Sequence, residues 1–596
     1  MGSLTGGPKD EDPPRVVESK PVNYSINFSG KRIEITFDEF IILNSVNQEL
    51  VVSPPLEEKP LVRIRNKSIL IDLNNELRDS TTYTLNFGQA IKDNNEGNLL
   101  NNYEFVFSTG DYLDSLSVGG TLLNAFDLTP PEEPVSIMLY RDLNDSVVFR
   151  EIPVYIGKTD DEGNFRINNL REGRYKLFAL KDVNNNFLFD LPNEQVAFAD
   201  STLNVDPEFF LEVIKEQLQK ALADSTSTDT IVRDTSVVTV VDDTGILEIS
   251  PEDSLLIKPD SIVEDTLFRI PDQLLIDLLL FTEESNNQYL DNSRRNVRNM
   301  LEFSFNRPVT DSFFVNYLVP DRDDCYLIEE SAGRDTFTYW ILDEQVRLMD
   351  SILFELNYTV LDSTDSPVWK SDSIFFVYRE PARSVRKKEG EEEVSMISLS
   401  GPRRNAVLEI NTRLNFTSGT PVNNIDTSRV TFVKIVDSLL VPEPFRFEKD
   451  SVYLRKLNFK KEWEPRAKYE LTLYPGAVMD VFGATNDTLD YKFSIRPEDY
   501  YGVLIVNMDS LKTPTIIQLL DMKGNLKREH YMEKPGIYRF EYLKADKYRL
   551  KFILDENGNR KWDTGKYILK RQPEKVEFYQ GNIEIRSNWD LEVKYR

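Results

Sequence analysis

Histidine and cysteine are all but missing from this chain of 596 residues, which holds one of each, His530 and Cys325. A single cysteine excludes an internal disulfide framework. A single histidine removes Ser-His and Cys-His nucleophile pairings unless His530 itself serves. It also removes any metal site that needs two imidazoles. Long apolar runs are absent too. No window approaches the ~20 consecutive apolar residues with which a helix spans a bilayer. Positive charge is in the minority: 71 Lys and Arg face 100 Asp and Glu, for a net charge of −29. Such a surface repels phosphate backbones and sets nucleic acid aside as a partner. The Met1-Gly-Ser start carries no signal-peptide pattern, and the expectation is that Met1 replaces a processed export signal.

The material for real cores is present, with 40% hydrophobic and 11% aromatic residues. Length alone suggests about four domains. The organising feature is a repeat. Asp182-Val-Asn184-Asn-Asn186-Phe-Leu-Phe-Asp190 returns as Asp555-Glu-Asn557-Gly-Asn559-Arg-Lys-Trp-Asp563. Upstream the match continues at one fixed offset. Gly163, Phe165, Arg166, Ile167, Leu170, Tyr175 and Leu177 align with Gly536, Tyr538, Arg539, Phe540, Leu543, Tyr548 and Leu550. A register held that long predicts an internal duplication of one β-module.

Taken in order, residues 1–14 are Gly, Pro and acid, and read as a tether. Module A, 15–112, alternates as in Lys31-Arg-Ile33-Glu-Ile35-Thr-Phe37, with short strands parted by Asn and Gly turns, which predicts a sandwich. Module B, 113–206, contains the first D-x-N-x-N loop. Asp206-Pro207 then reads as an N-cap with Pro at the first helical position, opening an amphipathic helix over 207–224. Ser, Thr and Asp dominate 225–270, a disordered acidic linker with one candidate edge strand at Val237 to Val241. A β-domain follows over 271–380, then a charge run at 383–393 that reads as a solvated boundary. Module A′, 397–497, echoes A: Tyr83 and Asp93 have counterparts in Tyr469 and Asp480. Module B′, 498–596, is the second copy of B. The fold class expected is all-β, tandem sandwiches with one short helix.

Module A, through Pro21, Ile33-Glu-Ile35-Thr-Phe37-Asp38-Glu39 and Thr82-Tyr83-Thr-Leu85-Asn-Phe87, resembles the bacterial Ig-like domains named for S-layer protein homology. Module B, through Thr159-Asp-Asp-Glu-Gly163-Asn-Phe165 and Leu170-Arg-Glu-Gly173-Arg-Tyr175, resembles the carboxypeptidase-regulatory, transthyretin-like sandwich. The whole order is similar to large Ig-like lipoproteins of Bacteroidetes, whose mature chains begin with a lipidated Cys and a segment like Thr5 to Asp10. The resemblance implies an N-terminal lipid on the native protein and a place at the outer membrane. The acidic Lys9-Asp10-Glu11-Asp12 resembles the signals that send such lipoproteins to the cell surface. The partner it implies is an outer-membrane protein or envelope complex, such as a β-barrel machine.

Chemistry is sparse. Asp182, Asn184, Asn186 and Asp190, with Asp555, Asn557, Asn559 and Asp563, offer oxygens at positions 1, 3, 5 and 9 of a calcium-type loop. The bidentate Glu at position 12 is missing: Asn193 and Lys566 stand there, and Glu194 comes one residue late. The other reading is an Asn-rich turn whose side chains bond their own backbone. Trp340, Trp369, Trp463, Trp562 and Trp589 offer either a sugar platform or core packing. Cys325 reads as a buried inert thiol and His530 as a surface imidazole. The expected function is a non-enzymatic surface scaffold. The other class is a carbohydrate-binding or carbohydrate-processing surface protein, which aromatic side chains grouped on one exposed sheet face would favour.

Overall fold

The computed structural model describes residues 11–74, 76–206, 276–284, 287–309, 313–361, 367–379, 396–403 and 405–595. The chain forms two compact units: Met1–Glu284 with Lys561–Val576, and Ser285–Arg560 with Glu577–Arg596. The fold is all-β, built of tandem sandwiches. The expected helix at 207–224, the linker at 225–270 and the charge run at 383–393 lie outside the described residues.

In the first unit, module A lays the sheet of Val16–Lys20, Arg32–Phe37, Ser68–Asp72 and Leu61–Arg65 over that of Glu104–Ser108, Thr82–Asn86 and Val51–Ser53. Alternation decides the faces. Ile33, Ile35 and Phe37 point inward and meet Tyr83, Leu85, Phe87, Phe105 and Phe107. Module B pairs Leu116–Asn124 with Asn164–Leu170, and sets Ser136–Tyr140 between Tyr155–Lys158 and Gly173–Lys181.

Module B does not end at residue 206. Strand Ile276–Thr282 runs parallel to Leu116–Asn124 and antiparallel to Gln195–Phe198. Leu278 and Leu280 enter the inner core, while Leu279 and Phe281 join the apolar cluster on the other face. The parallel pairing is possible because position 120 lacks a side chain: a Cβ on Gly120 would stand 2.2 Å from the Ile276 carbonyl oxygen. The 271–380 stretch is therefore not one domain. Its first strand completes module B, and everything between residues 206 and 275 interrupts that module. The outer apolar face of B is covered by the 561–576 segment of the same unit. Tyr567 sits there among Met138, Tyr140, Val147, Phe178, Phe198 and Phe281.

In the second unit, module C faces the sheet Leu290–Val297, Met300–Phe305, Thr336–Ile341 and Tyr326–Glu330 with the sheet Phe314–Val319, Ser351–Leu361 and Pro367–Val377. Module A′ repeats the central strand pairings of module A and adds Ala406–Leu408 and Leu439–Pro442 to one sheet. Leu414–Ser418 and Lys456–Lys460 pair as do Arg32–Phe37 and Ser68–Asp72, and Lys468–Leu473 pairs with Leu489–Ile495 as does Thr82–Asn86 with Glu104–Ser108.

Module B′ repeats module B down to its irregularities. Tyr501–Met508 pairs antiparallel with Gly536–Lys544 and parallel with Asp590–Tyr595, as Leu116–Asn124 does with its two neighbours. Thr515–Asp521 lies between Leu526–Met532 and Asp546–Leu554, and Ile583–Ile585 pairs with the latter. A register shift falls between Leu116 and Val118 in one copy and between Gly502 and Leu504 in the other, opposite matched residues. Tyr175 donates its hydroxyl to the Arg171 carbonyl at 2.7 Å, and Tyr548 does so to Lys544 at 3.0 Å. The same strand order around both tyrosines is what a duplication requires.

Candidate functional site

The first D-x-N-x-N loop follows strand Gly173–Lys181. Its turn is closed by side chains bonding nearby backbone. Asp182 accepts from the amides of Asn186 at 3.3 Å and Phe187 at 2.7 Å. Asn186 accepts from Leu188 at 2.7 Å. The Asp190 carboxylate receives the side-chain amides of Asn184 at 3.0 Å and Asn186 at 2.8 Å. Sequence reasoning missed the brace beneath. Glu194, 1% exposed, accepts from the backbone of Val183 at 3.2 Å and of Asp190 and Leu191 at 3.1 Å each.

The second loop repeats these roles. Fully buried Asp555 accepts from Gly558 at 2.7 Å, Asn559 at 3.1 Å and Arg560 at 2.8 Å. Asn557 accepts from Asn559 at 2.9 Å. Asp555, Asn557 and Asn559 belong to the second unit, whereas Asp563 is counted with the first. There Glu574 takes the Asp563 amide at 3.1 Å, as Glu194 takes that of Asp190. No spacing signal could have found Glu574, because this copy has a longer stretch between the aspartate and its glutamate.

The oxygens expected to face a cation accept N–H groups in both loops. In the first loop two amide N–H groups, rather than oxygens, address Asp190. Among the described residues no group of three or more His, Cys, Asp or Glu side chains is placed to hold a metal ion. The loops do what Asx turns do: they satisfy backbone N–H groups where a strand leaves the sheet. Modules A and A′ use the same device. Asp93 accepts from Asn95, Glu96, Gly97 and Asn98, and Asp480 from Phe482 and Ala484. Burial raises the Asp93 carboxyl, but the backbone N–H groups outweigh it and hold the group below the usual range.

Three further groups of polar contacts stand where modules of one unit meet. Between A and B, Arg171, itself held by Asp114 at 3.2 Å, donates to the Ser80 carbonyl at 2.5 Å, and Ser53 accepts from the Ile156 amide at 3.1 Å. Between C and A′, buried Glu329 takes the Trp340 indole N–H at 3.0 Å and the Arg455 guanidinium at 2.9 Å. Between A′ and B′, Glu409 accepts from the Tyr501 hydroxyl at 2.7 Å and lies 2.9 Å from the Lys544 ammonium. Burial and the Glu409 carboxylate push the Tyr501 hydroxyl up to about 12.

The lone Cys325 is 1% exposed in the core of module C, where burial pushes its thiol up. His530 is half-buried in B′ and stacks on Tyr538, with ring centroids 3.4 Å apart. Of the tryptophans, Trp340 and Trp463 are buried, Trp562 packs edge-on against Phe126, and Trp369 and Trp589 are each 60% exposed.

Residues 10–109 match the family model for a bacterial Ig-like domain, the span of module A. The chain thus contains a bacterial Ig-like domain over that span. No curated protein matches the sequence. Among solved structures, the chain is similar to native alpha-2-macroglobulin of Escherichia coli spanning domains MG0-NIE-MG1, at 12% identity over 45% of this chain and 93% of that one, TM-score 0.18. A Bacteroides ovatus protein of a mixed-linkage glucan utilization locus, solved with a mixed-linkage heptasaccharide, is 11% identical over 71% of this chain and 87% of that one, TM-score 0.17. The Bacillus anthracis TIE protein is 9% identical over the full length of this chain and 76% of that one, TM-score 0.13. None of the three defines a shared overall architecture.

Proposed function

We propose that this chain is a non-enzymatic lipoprotein of the outer membrane or cell surface that serves as a scaffold or binding subunit. The observation that carries the reading is the placing of carboxylates where modules of one unit meet. Glu329 of C takes Arg455 of A′, Glu409 of A′ takes Tyr501 and Lys544 of B′, and Asp114 holds the Arg171 that donates to Ser80 of A. A carboxylate taken out of water and satisfied in this way fixes one geometry of approach, since a displaced neighbour would leave it unpaired. These joints hold successive sandwiches of one unit in register, which is what a subunit presenting surfaces to a partner needs.

The partner proposed is an outer-membrane protein or envelope complex, with the membrane reached through an N-terminal lipid on the native protein. Two experiments test this. Metabolic labelling of the native protein with a fatty acid is expected to mark it, and an unlabelled protein found free in the periplasm would refute the anchor. A pull-down of the lipidated form from solubilised outer membranes is expected to bring down a β-barrel protein in fixed ratio. Recovery of the chain alone would refute the subunit reading.

A further inference from the structure

Module C carries an exposed aromatic face on one of its two sheets. In the sheet of Phe314–Val319, Ser351–Leu361 and Pro367–Val377, the inner face is filled by Ile352, Phe354, Leu356, Tyr358, Ile374 and Phe376. The opposite face shows aromatic rings to solvent: Phe314 is 57% exposed, Trp369 60% and Phe375 67%. Phe314 and Trp369 come from the two outer strands. Register explains why they meet: Phe314 lies opposite Asn357, Asn357 opposite Ser371, and Trp369 opposite Thr359. The rings converge across the middle strand, with centroids 5.5 Å apart and planes inclined at 36°.

Polar groups lie beside them in the same face. The Asn316 side-chain amide donates to Glu355 Oε2 at 2.7 Å. Bonds from Asn316, Ser371 and Asn357 hold the Glu355 carboxyl below the usual carboxylate range, so it is an acceptor at neutral pH.

We propose that this face binds a carbohydrate chain, with pyranose rings stacked on Phe314 and Trp369 and their hydroxyls bonded to Asn316, Glu355, Asn357 and Ser371. A sugar ring has an apolar C–H face and a rim of hydroxyls, and this face offers two adjacent exposed aromatic rings with amide, carboxylate and hydroxyl groups at their side. The centre of a protein interface is depleted of charge, whereas Glu355 stands in the middle here. Nucleic acid also stacks on aromatic rings, but it needs cationic groups for its phosphates, which a carboxylate repels. Phe375 lies on the same strand and face as Trp369, about 20 Å further along at ~3.3 Å per residue, so the surface suits several sugar units in a row.

This inference adds a ligand to the scaffold reading, and it is tested on the unlipidated full-length chain, independently of anchor and partner. The chain is run through native gels cast with soluble mixed-linkage β-glucan, xyloglucan, xylan, galactomannan or glycogen. The corresponding oligosaccharide is then titrated by calorimetry. Retardation by at least one polysaccharide is expected. Trp369→Ala is expected to lose at least tenfold in affinity, and Glu355→Gln to bind more weakly. Trp589→Ala, which removes an equally exposed indole from module B′, is expected to bind as wild type. Because Trp369 lies largely in solvent, its variant is expected to keep the wild-type circular dichroism and melting curve. If it does not, Asn316→Ala and ligand quenching of tryptophan fluorescence give the reading instead. No retardation by any of the five polysaccharides would overturn the proposal, and so would undiminished binding by Trp369→Ala.

Discussion

Replacing Tyr567 by alanine should release the 561–576 segment from module B while leaving the sandwich folded. Tyr567 is 3% exposed, with its ring edge-on to Phe178 at 5.0 Å and Phe198 at 5.2 Å. Truncating a core aromatic to alanine costs about 3–5 kcal/mol. The segment has other holds. Gln572 donates to the Phe198 carbonyl at 2.9 Å, Thr564 to the Thr282 carbonyl at 2.7 Å, and Lys570 pairs with Asp145 at 2.9 Å. These are bonds at or near the surface, worth about 1 kcal/mol each at most. With the half-buried Trp562 edge-on to Phe126 at 5.0 Å, they are the remaining holds, each weaker than the buried Tyr567 ring. The loss also saturates, because a segment that undocks costs no more than its own docking free energy.

A chain of several modules has no single unfolding free energy, so the measurement must be local. Native-state hydrogen exchange reads it. The Tyr567 amide, bonded to Glu283 at 2.5 Å, should exchange about a hundredfold faster in Tyr567→Ala, the equivalent of ~3 kcal/mol. Tyr567→Phe keeps the ring and gives up only the contact with the Lys176 ammonium at 3.2 Å, so it should cost about 0.5–1.5 kcal/mol. Leu569→Ala, at a residue 66% exposed, should change nothing. Exchange in Tyr567→Ala within threefold of wild type would refute the argument that this ring holds the segment.

Gly120→Ala should destabilise module B by about 1–3 kcal/mol, the usual cost of overpacking, because the new methyl would meet the Ile276 carbonyl and the Phe165 ring; a wild-type melting curve would mean that strand Ile276–Thr282 does not lie there. Asp555→Ala should lower the melting temperature of the second unit equally in chelator and in millimolar calcium, since backbone N–H groups lose their acceptor at about 1–3 kcal/mol. A rise with calcium in the wild type that the variant lacks would make the loops cation sites instead. Burial holds the His530 imidazole below its ordinary 6.5, so the unfolded chain takes the proton more readily and stability falls as pH drops below about 6.5. As the one histidine, it gives a single pair of ring signals by nuclear magnetic resonance; a titration midpoint at or above 6.5 would refute the buried placement.

What could be read from sequence follows the range of the interactions. Strand alternation and turn residues are local, so Ile33, Ile35 and Phe37 declare their shared face by spacing alone. The duplication was also legible, because matched positions keep one offset, and it carried with it the tyrosine bonds of Tyr175 and Tyr548. Three things were not legible. The partner of Leu116–Asn124 lies beyond a long interruption, and no local pattern ties Ile276 to Gly120. The convergence of Phe314 and Trp369 depends on the register of three strands. The role of Glu194 was hidden by a rule: read against a calcium loop it stands one residue late, whereas a brace for backbone amides needs only to reach Val183, Asp190 and Leu191.

The two copies of the B-module differ at equivalent joints, and the difference bears on how the chain came to be built. In both, the sheet is closed by a last strand parallel to the first, Ile276–Thr282 in one and Asp590–Tyr595 in the other. In B′ four residues separate that strand from Ile585, whereas in B some seventy residues separate Val205 from Ile276. B′ carries its extra length earlier, between Asp563 and Glu574, in a segment that packs in the first unit. Loop closure costs little more for a long loop than for a short one, about 0.6 kcal/mol per doubling, so either insertion is tolerated once the flanking strands are paired. The pairing survives in both copies while the inserted material does not match. The shared sandwich is thus the part fixed by folding, and the unmatched segments, with the aromatic face of module C, are where this chain's own interactions are to be sought.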